Sequence, residues 1–166
     1  MAGGKDRDLD PDDSFRDAMQ DLIAARFSAV WTALPVAAAG VDPEGVHDVR
    51  VASRRLRAAM DVAADSFPES WYRELHRAAK DITSELGEVR DRDVLLDFLS
   101  AERDKAPAQE RVGIDRLMAR VDAERTTARE HMLTFLNELD SAGVADESIR
   151  RFGKSAAPKG DDAAGS

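Results

Sequence analysis

The sequence predicts an all-α protein, an antiparallel bundle of about five helices. Two patterns and one compositional fact carry that prediction. Apolar residues recur every three or four positions along most of the chain, with no alternating strand pattern and no fixed-period internal repeat. The segments are separated by short breaks of Gly, Pro, Ser and Asp, the residues that stop helices and cap new ones. Of 166 residues, 43% are hydrophobic but only 5% aromatic, so the core must be built from Ala, Leu, Val and Ile. That length suits one domain able to bury a core without staples.

The first helix is expected over 14–39, capped by Asp13 or Ser14 and carrying Phe15, Met19, Leu22, Ile23, Phe27, Val30, Trp31 and Leu34 on its apolar side. Gly40 ends it. Asp42-Pro43-Glu44 then supplies a cap, a first-turn proline and a first-turn acid for a second helix over 43–65. After the Ser66–Ser70 break, Trp71, Leu75, Ala78, Ala79, Ile82 and Leu86 share a face, giving a third helix over 69–86 with Gly87 as its stop. Asp91 or Asp93 is expected to cap a short fourth helix carrying Val94, Leu95, Phe98 and Leu99 and ending near Asp104, before Pro107. A long fifth helix follows from Ala108 to about Asp140, then a brief helical turn from Val144 to Phe152. These boundaries give a helical domain over 14–152, with a disordered acidic segment at 1–13 and a flexible tail at 153–166.

The chain has no Cys, so disulfides and thiol chemistry are excluded. The polar start Met1-Ala2-Gly3-Gly4-Lys5 is no signal peptide, and with no apolar run expected to be of membrane length the protein reads as soluble and cytoplasmic. The net charge of −9 argues against a generic nucleic-acid binder, but the acid is regional. Residues 1–21 hold seven Asp against Lys5, Arg7 and Arg16, whereas 47–60 hold four Arg against Asp48 alone. Over a screening length of about 8 Å at physiological salt, the second region sets its own field.

That region is the candidate site. On a helix, His47, Arg50, Arg54 and Arg57 fall at about 0°, 300°, 340° and 280°, one cationic arc, while Val49, Ala52, Leu56, Ala59, Met60 and Ala63 take the opposite side. Arg55 adds a fourth arginine to the cluster. Exposed helix faces usually mix signs to gain pairing one turn apart. Nothing in this helix does so. Acids from other helices could neutralise the arginines, or a bound anion could. The third helix carries a second stripe, Arg73, Arg77 and Lys80, though Glu74 and Asp81 flank it. If helices 2 and 3 form the antiparallel hairpin that their short connection suggests, the two stripes line one groove, with Arg90 beyond Gly87 in a loop whose N–H groups add donors.

The run His47-x-x-Arg50-Val51-x-x-Arg54-Arg55-Leu56-Arg57, then Lys80, then Leu86-Gly87-x-x-Arg90-Asp91-x-Asp93-Val94, resembles the first half of a CHAD domain, the conserved-histidine α-helical domain. The similarity runs from about Phe15 to Asp140. It implies an all-helical fold of two related four-helix halves, with basic residues lining a groove or pore that takes inorganic polyphosphate. It also implies association with polyphosphate granules. A full domain resembles two such units, and here a Gly/Ala/Lys/Asp stretch follows the first. The expected ways to complete the groove are a homodimer, pairing with another half-domain chain, or a weakly binding remnant; the homodimer is favoured, since two-fold self-association is the commonest solution.

Polyphosphate also suits the residues themselves. Guanidinium groups bind phosphate oxygens through charge-assisted, often bidentate hydrogen bonds, and arginines one turn apart match a repeating anion that offers no bases to read. The expected site is His47, Arg50, Arg54, Arg55, Arg57, Arg73, Arg77, Lys80 and Arg90. No catalytic residues, cofactor or metal are expected: the chain has no HExxH, GxxxxGK[ST] or GxSxG, and cationic neighbours would repel an ion held by His47 or His76. The rival reading is a helical interaction module whose arginines meet an acidic partner, such as Asp6–Asp13 of another subunit. A nucleic-acid role is disfavoured, because no aromatic residues interleave with the basic ones. A protonated His47 adds charge to the row, so polyphosphate binding is expected to tighten toward about pH 6 and to weaken with salt. Titrations that are flat between about pH 6 and pH 8 would remove His47 from the charged set.

Overall fold

The computed structural model describes residues 14–153 and contains five α-helices and one 3₁₀ turn, with no strand among those residues. Helix α1 spans Phe15–Ala39, with the Ser14 hydroxyl accepting from the Asp17 N–H at its start and Gly40 in the left-handed conformation, φ 70°, at its end. Helix α2 spans Gly45–Ala63 and is prolonged by a 3₁₀ turn over Ala64–Ser66. Helix α3 spans Glu69–Lys105, α4 Ala108–Ser141 and α5 Val144–Phe152. The expectations made for 1–13 and for the tail lie outside the described residues, Gly153 excepted.

Helices α1 to α4 run up and down, each packed on the next. Most of the core follows the expected faces: Ile23, Phe27, Val30, Val49, Leu56, Met60, Leu75, Ile82 and Leu86 are almost fully buried, Val89 joins them unexpectedly, and Phe15 is exposed. At the end where α2 runs into α3, Phe67, Trp71 and Tyr72 close around Phe152 of α5, with ring centroids 5.3–6.1 Å apart. The brief helical turn expected there is thus a true helix, anchored by Phe152 and by Trp31 Nε1 donating to Ser148 Oγ at 2.9 Å. Such pairs add about 0.5–1.5 kcal/mol each beyond the area they bury.

Three expectations are corrected. First, no helix ends at Gly87: α3 runs unbroken through it to Lys105, so the expected third and fourth helices are one. A glycine inside a helix costs only about 1 kcal/mol relative to alanine, and the burial of Leu86 and Val89 on either side outweighs it. Second, Asp91 and Asp93 are not caps but interior positions, paired with Arg50 and Arg125 respectively. Third, α1 is long and apolar enough, by length and composition, to cross a membrane. Here Met19, Ile23, Phe27, Val30 and Ala37 of that helix enter the bundle core.

Because α2 begins at Gly45 and lies antiparallel to α3, the last stretch of α3 and the first stretch of α4 extend beyond α1 and α2 as a two-helix arm. Arg129 marks its base: the guanidinium donates to the carbonyls of Ala37 (3.3 Å) and Ala38 (2.6 Å), satisfying the C-terminal end of α1. Within the arm, Asp115 pairs with Arg103, whose hydrogen bond holds the carboxyl below its ordinary range.

Two glycines should respond to alanine with opposite signs. A Cβ on Gly87 would meet only the Arg50 guanidinium, at an ordinary 4.0 Å, so Gly87→Ala is expected to stabilise the fold by about 0.5–1 kcal/mol through helix propensity. A Cβ on Gly45 would lie 3.1 Å from the Ala37 backbone, so Gly45→Ala is expected to destabilise by about 1–3 kcal/mol as α2 is pushed off α1. Urea denaturation of both variants reads the signs, and equal signs would contradict this packing.

Candidate anion-binding groove

Three contacts set how α2 and α3 face each other. Asp61 Oδ1 meets His76 Nε2 at 2.6 Å, Ser53 Oγ meets Thr83 Oγ1 at 3.0 Å, and Arg50 Nη1 meets Asp91 Oδ1 at 2.9 Å. The middle contact is the one fully shielded from solvent on the α2 side, since Ser53 is 0% exposed. Its hydroxyl also donates to the Arg50 carbonyl at 3.0 Å, and Thr83 Oγ1 lies 2.9 Å from the Ala79 carbonyl, so both hydroxyls are satisfied.

With that register fixed, the remaining cations can be placed. Taking Arg50 as zero, Ser53 and Asp61 put the α3-facing side of α2 between about 300° and 20°; Arg54 lies at about 40°, Arg57 at about 340° and His47 at about 60°. On α3, relative to Gly87, Thr83, His76 and Asp91 put the α2-facing side between about 320° and 40°, and Lys80 lies at about 20°. By interpolation along the antiparallel pair, Arg57 stands level with Lys80 and His47 level with Arg90. By this count Arg50, Arg57 and Lys80 fall on the facing sides of the α2–α3 pair, with Arg54 and His47 on the outer margin and Arg90, at about 300°, on the core-side margin.

Of the other three predicted residues, Arg77 lies near the same outer margin as His47, and Arg55 and Arg73 lie apart. Arg55 lies at about 140°, turned away from α3. Arg77 sits at about 80°, on the outer margin. Arg73 has the right azimuth but belongs to the far end, where it is 3.7 Å from Glu69 and shares a cleft with Asp61, Asp65 and His76. The expected loop after Gly87 does not exist, so no helix N-terminus adds N–H donors beside Arg90.

The electrostatics of the groove are unusual for this molecule. Arg92, Arg103, Arg120, Arg125, Arg150 and Arg151 each have a carboxylate within ion-pair distance. Among the described residues, Arg54, Arg57, Lys80 and Arg90 have none, nor do Arg55 and Arg77. Arg50 alone in the row is paired, and both partners are solvent-accessible, which limits that pair to about 1 kcal/mol or less. Arg57 is half-buried, and its Nε–H is buried with no hydrogen-bond partner. A buried donor left unmade costs about 1–3 kcal/mol. Among the described residues no group of three or more His, Asp or Glu is arranged to hold a metal ion.

Sequence reasoning missed Ser53, Thr83 and Arg129. Ser53 lay inside the cationic run and could have been found from its position on the buried side of the helix; the others bind partners too distant in the chain to give a local signal.

A family model, the CHAD domain, matches residues 21–165. No curated protein and no solved structure matches the chain.

Unmatched like charges and an orphaned donor cost stability along this seam. Arg57→Met is therefore expected to raise stability by about 1 kcal/mol, or roughly 2–4 °C in Tm, by removing both at once while keeping the aliphatic stem. A melting temperature equal to or below that of the unaltered protein in low salt would mean that Arg57 is compensated in a way the groove geometry does not include.

Proposed function

The chain belongs to the CHAD domain family, and from that premise we propose that its α2–α3 groove binds inorganic polyphosphate without catalysis. The observation that carries this reading is that Arg54, Arg57 and Lys80 stand along one helix seam with no carboxylate partner among the described residues, and that the Arg57 Nε–H is buried without a hydrogen-bond partner, in a protein of net charge −9. Arg50, Arg54 and Arg57 extend over about 10 Å of helix, so a flexible chain of phosphoryl groups can follow them and accept from successive guanidinium groups. His47 continues the row toward the arm. Polyphosphate fits better than nucleic acid, because the groove has cations but no exposed aromatic platform for bases. Recruitment of the protein to cytoplasmic polyphosphate granules would follow from such binding.

The second reading, an acidic protein segment in the same groove, draws on the same unpaired cations. Chain chemistry distinguishes the two, since phosphoryl groups at every backbone position suit closely spaced arginines better than carboxylates on longer side chains do.

Calorimetric titration with long-chain polyphosphate, an Asp-rich peptide and duplex DNA tests the assignment. Arg54→Ala/Arg57→Ala is expected to lower polyphosphate affinity by at least about 100-fold, from the loss of two charge-assisted contacts of about 1.5–3 kcal/mol each. Arg55→Ala is expected to change it by less than about threefold, since that side chain faces away. Equal losses in both variants would mean that net charge, not the groove, does the binding, and tighter binding of the peptide than of polyphosphate would favour the second reading.

A further inference from the structure

Arg50 is the arginine of the α2 row that already has an acidic partner, and the form of that pair differs from the ion pairs that join α3 to α4. Arg103 grips Asp115 through both Nε and Nη2, and the side chain of Asp93, which Arg125 holds, is only 16% exposed. Arg50 instead meets Asp91 through a single hydrogen bond, Nη1 to Oδ1 at 2.9 Å, with the aspartate side chain 66% exposed. A guanidinium carries five N–H donors. Among the described residues the other four of Arg50 have no hydrogen-bond partner in the protein.

The surroundings let this side chain change partner. A Cβ on Gly87 would lie 4.0 Å from Arg50 Cζ and Nε, so the guanidinium rests over a residue that offers no side chain to enclose it, one turn before Asp91 on α3. Releasing Asp91 leaves the register of α2 on α3 in place, because Ser53–Thr83 and Asp61–His76 make no use of the Arg50 side chain. The released carboxylate is already largely hydrated, so its separation costs little. Arg54, one turn along α2, and Arg57 beyond it have no carboxylate within ion-pair distance. An anion lying along them therefore meets free cations first and Asp91 last.

We propose that Asp91 is a competitor built into the seam: it holds Arg50 while no anion is bound, and an anion seated on Arg54 and Arg57 gains Arg50 only by displacing it. The inference rests on the anion-binding reading above. It makes Asp91 a positioning residue that acts through Arg50 and sets the threshold at which the row engages. The exchange is a swap of one charge-assisted hydrogen bond for another at the same guanidinium, with no change in how the helices pack.

A two-residue cycle read by calorimetric titration of the whole chain with long-chain polyphosphate tests this. Asp91→Asn keeps the shape of the side chain and removes its charge, and it is expected to raise affinity by about fivefold, the equivalent of an exposed pair of about 1 kcal/mol. In the Arg50→Ala background the same substitution is expected to change affinity by less than about twofold, because an exposed charge with no arginine to withhold is screened by salt. Asp48→Asn removes an equal charge from the side of α2 turned away from α3, and it too is expected to change affinity by less than about twofold. An equal gain with and without Arg50 would mean bare repulsion, an equal gain from Asp48→Asn would mean net charge, and a loss of affinity in Asp91→Asn would mean that Asp91 orders Arg50 for the anion; each overturns the proposal. Polyphosphate binding by neither the unaltered chain nor Asp91→Asn would instead fell the anion-binding reading itself, and this inference with it.

Discussion

The antiparallel packing of α2 on α3 is the constraint on which the placement of the cationic residues depends. Its apolar side is an ordinary bundle seam, Leu56 and Met60 against Leu75, Ile82 and Leu86. What fixes the register is polar: the Ser53–Thr83 hydroxyl pair, with Ser53 wholly buried, flanked by Asp61–His76 and Arg50–Asp91. A slip of one helical turn would break the cross-helix hydroxyl contact and both flanking pairs, although each hydroxyl would keep its own-helix carbonyl, that of Arg50 for Ser53 and that of Ala79 for Thr83.

That register lines cations up against cations. Arg57 stands level with Lys80, and His47 with Arg90, so the groove gathers positive charge that the rest of the molecule lacks. A fold selected for stability alone would place acids opposite these residues, as it does for Arg92, Arg103 and Arg125. The unpaired cations and the orphaned Arg57 Nε are stability forgone at the place where an anion would restore it. Acids reappear where the row ends: Asp61, Asp65 and Glu69 close the groove at the far end of the bundle, and Arg73 is absorbed by them.

The arm extends the same economy of residues. Once α3 passes the start of α2 it packs on α4, with Leu99 and Val121 buried between the two helices. The Arg103–Asp115 and Arg125–Asp93 ion pairs flank that contact. Continuous helix through Gly87 is what connects the two regions: a break there would uncouple the arm from the groove, whereas an unbroken α3 ties Asp91 at the groove to Phe98 on the arm through two turns of rigid backbone.

Most boundaries, most of the buried faces and the cationic arc of α2 were determined by local chemistry and were therefore legible. Gly40 and Gly143 adopt positive φ at helix junctions, Pro68 and Pro107 cap the starts of α3 and α4, and a 3.6-residue period names the core. The same local rules misread Gly87 as a stop and Asp91 and Asp93 as caps, because those residue types favour helix ends by only about 1 kcal/mol and distant packing exceeds that. Their true partners, Arg50 and Arg125, lie 41 and 32 residues away in sequence. Only the tertiary structure could decide which cations share a groove, retaining Arg57 and Lys80 and turning Arg55 away, since that depends on the rotation of one helix against another. A periodic pattern fixes which side of a helix is buried; the rotational register between two helices is set by contacts such as Ser53 with Thr83, which no single stretch of sequence contains.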